Sequence, residues 1–197
     1  MINKNLNTMK KILMIAVMAV AAVSANAQWY IGGSFGLNFT KATKDADSQT
    51  TLNIAPEVGY NINDNWAVGA QVGFGMANNL TNGVEGNLTG TSFTIAPYAR
   101  YTFAKTGIAS FFADGYVSFS STNFDASRNF KSDKSGSVFS IGVRPGVSLK
   151  ASDKVSLVAI LGNLGYSKYS DEVFGGGSNF GINADNTDIS LGVYYNF

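Results

Sequence analysis

The 197-residue chain contains no cysteine and no histidine. Without cysteine it cannot be a small disulfide-stapled scaffold, so an exported domain of this size has to be held by a large sheet. Lacking both residue types, it can assemble neither a Ser-His-Asp nor a Cys-His arrangement, nor the usual zinc-ligand sets. No enzymatic activity, metal or cofactor is therefore expected. Charge is sparse and nearly balanced, with 14 basic against 13 acidic residues, which argues against a nucleic-acid partner. Beyond residue 27 no apolar run approaches the ~18 residues of a transmembrane helix. A membrane-embedded form would have to span as a closed barrel.

What is present begins with an export signal. Lys10 and Lys11 precede an apolar stretch from Ile12 to Val23, and Ala25-Asn26-Ala27 is a small-x-small cleavage site. Residues 1–27 are expected to be a secretory signal peptide, leaving residues 28–197 as the mature domain. Removal takes Lys4, Lys10 and Lys11 with it, so 11 basic residues then face 13 acidic ones.

From Gln28 onward hydrophobicity has a period of two. Trp29, Ile31, Gly33, Phe35, Leu37 and Phe39 share one face, and Tyr30, Gly32, Ser34, Gly36, Asn38 and Thr40 the other. The pattern returns around Leu52–Ile62, Trp66–Met76, Phe93–Phe103, Ala109–Phe119, Phe139–Leu149 and Ile189–Phe197. Residues 155–167 form an irregular further strand, whose apolar phase switches near Gly162-Asn163 as a bulge would make it. Six outward residues per strand cover roughly 33 Å, or about 25 Å of height once tilted, which is the apolar band of an outer-membrane barrel. The reading is an all-β fold: an eight-stranded antiparallel up-and-down transmembrane barrel.

Connections alternate between short polar turns (Asn63-Asp64-Asn65, Ala104–Gly107, Ala151–Lys154) and long polar segments, 41–50, 78–90, 120–137 and 168–186. Short turns on the periplasmic rim and four long loops on the extracellular rim is the transmembrane layout. A lipocalin-like soluble barrel would be apolar inside, but the seven clear apolar faces carry no Asp, Glu, Lys or Arg. Well inside the strands, only Glu57, Arg100, Asp114 and Arg144 are charged, each on the small-residue face. The apolar face is thus the lipid-facing one, where an Arg near the midplane would cost ~2–4 kcal/mol. Trp29, Tyr60, Trp66 and Tyr101 fall at the periplasmic strand ends, as an aromatic girdle does. The four internal charges sit near one level and are expected to neutralise one another in a packed lumen. Pro56, Pro97 and Pro145 also recur at one level, pointing to local bulges.

The sequence closes Ser190-Leu191-Gly192-Val193-Tyr194-Tyr195-Asn196-Phe197. Ser190, Gly192, Tyr195 and Phe197 resemble the C-terminal β-signal of outer-membrane proteins, which implies recognition by the barrel-assembly machinery. Over its mature length the chain looks like the small outer-membrane β-barrel family that includes outer membrane protein X and the barrel domain of outer membrane protein A. The Lys-Lys-Ile-Leu signal and Ile54-Ala55-Pro56-Glu57-Val58-Gly59-Tyr60 resemble its Bacteroidota members, called porin-family or β-barrel domain proteins. The resemblance implies a Gram-negative outer-membrane location, outer-membrane lipid as surroundings and a monomer. The expected role is structural or surface-interacting, through loops whose partner the sequence does not name. The alternative is a narrow pore, or transport of a small or hydrophobic ligand.

Overall fold

The structure, a computed structural model, describes residues 28–40, 49–78, 88–126, 134–170, 175–183 and 189–197. The expected signal peptide (1–27) lies outside the described residues, as do the middles of the four long connections.

Ten strand segments follow in chain order: β1 (Trp29–Thr40), β2 (Gln49–Asn61), β3 (Trp66–Asn78), β4 (Leu88–Thr106), β5 (Ala109–Ala126), β6 (Lys134–Lys150), β7 (Val155–Leu161), β8 (Asn163–Tyr169), β9 (Gly177–Asn183) and β10 (Ile189–Asn196). Each pairs antiparallel with its neighbours, and β10 returns to β1, closing an eight-stave barrel. The seventh stave is β7 followed by β8. Both pair with β6, through Gly146↔Ile160 below and Val143↔Leu164 above. Two residues of β6 thus face three of the other stave, and the extra one is Gly162, whose φ of 113° suits a residue without Cβ. The bulge restores phase: Leu161 and Leu164 both face outward.

The eighth stave is longer than the sequence pattern suggested. Besides β10 it includes β9, inside the segment expected as loop 168–186, with Phe180 and Ile182 outward beside Tyr166 and Leu164. The neighbouring Gly175, Gly176 and Gly177 are all at positive φ, and a run of glycines carries no apolar alternation to mark its start. The other expected loops are also shorter. β2 begins at Gln49 rather than after 50, and β4 at Leu88 rather than after 90. In place of loop 120–137, β5 runs to Ala126 and β6 starts at Lys134, paired through Phe124↔Lys134. Ser120–Asn123 reads as polar loop, yet above the hydrocarbon a strand needs no apolar outer face, and the ladder continues.

Each proline sits at an interruption in the ladder to the following stave. Pairing skips Ala55–Pro56 between β2 and β3, Ala96–Pro97 between β4 and β5, and Arg144–Pro145 before the seventh stave. A missing N–H accounts for the lost pairs. A bulge was expected at each; only the third interruption carries an extra residue.

Short turns close one rim. Asn63 Oδ1 accepts from the backbone N–H groups of Asn65 and Trp66, each at 2.9 Å, and Ser152 Oγ from that of Val155 at 3.1 Å. Outward side chains include Ile54, Val58, Val68, Ile95, Val117, Ile141 and Val143, all exposed as a lipid-facing wall requires. Lys168 faces outward too, opposite Phe139 near the far rim, where its stem can lie on the wall and its ammonium reach headgroups.

Candidate functional site: a charged and aromatic plug inside the barrel

Inward positions near the short-turn rim carry the only charged side chains found deep within the described strands. Cross-strand register aligns Arg144, Asp114 and Arg100 in one row across β6, β5 and β4. Asp114, with no exposed surface, lies between the two guanidinium groups. Arg100 donates Nε to Asp114 Oδ1 at 2.7 Å and Nη2 to Oδ2 at 3.0 Å, the fork geometry that suits a carboxylate. Across the lumen, Glu57 Oε1 stands 3.6 Å from Arg100 Nη2 and accepts a short hydrogen bond from the Tyr98 hydroxyl. Tyr98 in turn shares a 2.6 Å hydrogen bond with Tyr30. Arg144 Nη1 donates to Gln71 at 3.3 Å. Its Nε is 3.4 Å from Asp114 Oδ2, within ion-pair range but without hydrogen-bond geometry, and has no hydrogen-bond partner.

The structure therefore brings Glu57, Arg100, Asp114 and Arg144 into one network of two acids and two bases. Low dielectric strengthens each pair, and mutual pairing offsets a desolvation cost that any of the four would bear alone.

Around the network stands an aromatic box that sequence reading passed over. The Arg100 guanidinium lies 4.0 Å from the Phe112 ring centre, with Tyr98, Tyr194 and Tyr30 at 5.2, 5.5 and 5.9 Å. Tyr30 and Tyr194 stack at 5.5 Å with ring planes 9° apart. Four glycines make room for these rings, each the direct cross-strand partner of its aromatic. Gly59 faces Tyr30, Gly69 faces Tyr98, Gly32 faces Tyr194 and Gly146 faces Phe112. A methyl group at any of the four would run into the ring opposite. The available signal was a large aromatic on the small-residue phase of one strand and a glycine on that of its neighbour. With Phe112 only 1% exposed and Asp114 fully buried, large side chains fill most of this level of the lumen.

Towards the other rim the interior changes. Thr51, Asn53, Gly75, Ser92 and Thr122 line a chamber of about 190 Å³. Thr94 donates to Ser120 at 2.9 Å, and Ser140 pairs with Ser167 at 2.8 Å.

The remaining sequence candidates lie in the wall. Trp29 and Tyr60 are cross-strand partners with ring centres 5.1 Å apart, and Trp66 and Tyr101 likewise at 4.8 Å. In the last stave, Tyr195 packs edge-on against Phe197 at 5.2 Å, and the Phe197 N–H donates to the Trp29 carbonyl at 3.1 Å. Ser190 and Gly192 of the same stave border a small interior cavity beside Arg144. Among the described residues no cluster of carboxylates could hold a metal ion.

Residues 12–197 match the family model described as outer membrane protein beta-barrel domain. Among solved structures, similarity is found to Neisserial surface protein A, at 18% identity and a TM-score of 0.49, over 87% of this chain and 98% of that one. The N-terminal β-barrel domain of Pseudomonas aeruginosa OprF matches at 13% identity and a TM-score of 0.42, over 86% and 98%. The Yersinia pestis outer membrane protein Ail matches at 16% identity and 0.41, over 87% and 100%. No curated protein matches the sequence.

Proposed function

The chain belongs to the outer membrane protein β-barrel domain family, and we propose that within it this barrel is a non-enzymatic surface scaffold. It resides in the cell outer membrane, spanning the bilayer as a closed barrel. Its working parts are the four connections on the rim opposite the short turns, held by a rigid wall as binding loops usually are. Their partner is a surface molecule met outside the cell. The observation that carries this reading is the buried, charge-compensated plug. It fills the lumen where a pore would need water, and its acids and bases are engaged with each other rather than poised for proton transfer.

Biogenesis follows the same reading. Residues 1–27 direct export, Ser190, Gly192, Tyr195 and Phe197 present the assembly machinery with its signal, and the product is a monomer with no cofactor.

Planar-bilayer recording tests the proposal. The purified barrel should give no discrete conductance steps, and Arg144→Ala should leave the trace flat or noisy. Regular steps that Glu57→Gln or Arg144→Ala changes in size would establish a pore and overturn the scaffold reading.

A further inference from the structure

The four charges of the plug are not equally provided for. Arg100 gives two hydrogen bonds to Asp114 and lies among four aromatic rings. Arg144 gives one, from Nη1 to Gln71, and meets Asp114 through Nε without hydrogen-bond geometry. The rings of Tyr98 and Tyr116 stand beside it. A guanidinium carries five N–H donors, so Arg144 is the less satisfied of the two bases. The acids differ in the same way. Arg100 holds Asp114 at both oxygens, whereas the contacts of Glu57 with Tyr98 and Arg100 both fall on Oε1.

The chain of ion pairs is therefore open at its ends. It runs Glu57, Arg100, Asp114, Arg144, and among the described residues no hydrogen bond or ion pair leads from Arg144 back to Glu57. Yet the two end groups border one and the same interior cavity, of about 10 Å³. Ser34, Gln71, Ser190 and Tyr194 line it with them. Ser34 and Ser190 belong to the staves that close the barrel, since Ser34 pairs with Gly192 of β10 and Ser190 with Ile160 of β7.

Size and charge together select what such a cavity can hold. A water needs ~10–15 Å³ of this kind of space and two to four polar partners, and both conditions are met. Ions are disfavoured in either sign. An anion would meet the Glu57 carboxylate and a cation the Arg144 guanidinium, and two acids already balance two bases in the network. A neutral molecule that donates and accepts at once suits a site with one acid and one base.

We propose that the cavity between Glu57 and Arg144 is a binding site for one water molecule. The water accepts from the Arg144 guanidinium and donates to the Glu57 carboxylate, which closes the open chain of charges into a ring. Its remaining positions fall to the Ser34 and Ser190 hydroxyls. In this way the first and last staves are tied to charges carried on β2, β4, β5 and β6. The site takes a single molecule rather than a file of them, so it hydrates the network without making a pore. It does not depend on the loop reading above.

The test is a crystal structure of the barrel purified from outer membranes, at a resolution that shows ordered solvent. Separate crystals are soaked in bromide and in rubidium, whose anomalous scattering marks a bound anion or cation. One peak is expected in the cavity, within about 3.2 Å of both the Arg144 guanidinium and a Glu57 oxygen, with no anomalous signal from either ion. An empty cavity between well-ordered neighbours would overturn the proposal. So would a direct ion pair between Glu57 and Arg144, or an anomalous peak at the site.

Discussion

The two halves of this barrel's interior are built on the same strands and solve packing differently. Towards the short turns the lumen is filled by large side chains, with rings seated against glycines and an Arg–Asp–Arg row between them. Towards the long connections it is lined mainly by Ser, Thr, Asn and Gly, with Met76, Ala77 and Phe124 also bordering the chamber and no charged residue among them. Among the described residues the β1–β10 ladder follows the same division, running beside the plug from Tyr30↔Asn196 to Ser34↔Gly192. Large side chains therefore fix the lower half, while the upper half is held by the backbone ladder and small side-chain hydrogen bonds such as Thr94–Ser120 and Ser140–Ser167.

Three experiments can break or sharpen that contrast. The largest effect is expected from Asp114→Ala, which leaves Arg100 and Arg144 buried and facing each other. Removing one partner of a buried network costs about 3–5 kcal/mol. Ser140→Ala in the upper half removes one neutral hydrogen bond and should cost about 1 kcal/mol. Urea midpoints of the two variants in lipid vesicles would measure the difference, and equal losses would end the distinction between the halves.

A smaller effect separates two glycines. Gly146→Val drives a side chain into the Phe112 ring and should cost about 1–3 kcal/mol as overpacking does. At Gly36 the nearest atom to an added Cβ is 3.8 Å away, so Gly36→Ala should fold and migrate on gels like the parent. The least consequence is expected on the rim. Asp153 is held below the usual carboxylate range by its hydrogen bond and charge attraction from Lys150, 2.9 Å away. A lowered folded value means that its contribution is present above the unfolded value and is lost as pH falls through the folded one. Because the pair is exposed, Asp153→Asn should leave the urea midpoint at pH 7 within error. A clear drop would show that the turn matters to the barrel's closure.

Much of this architecture was legible in the sequence because a lipid-facing wall imposes a strict rule at every second residue. Strand order, the inside and outside of each strand and the phase switch near Gly162 follow from that rule. Where it lapses, so does legibility. Ser120–Asn123 and Ser178–Asn183 extend strands with polar or sparse apolar outer positions, and both read as loop. The candidate site was visible as four charges on the inner phase, but not as a network. Tyr30, Tyr98, Phe112 and Tyr194 stood out as large rings on the inner phase, but the glycine that each faces did not, because contact across strands depends on register and stagger.

The four aromatic–glycine fits also act as a gauge for assembly. The apolar pattern detects a one-residue slip between strands, since every side chain would change face. A two-residue slip passes that inspection unnoticed. It would nevertheless set Tyr30 against Glu57 or Asn61, Tyr98 against Ala67 or Gln71, and Phe112 against Arg144 or Ser148. Only the native register offers each ring a vacant seat, so the plug that shuts the lumen also proofreads the wall.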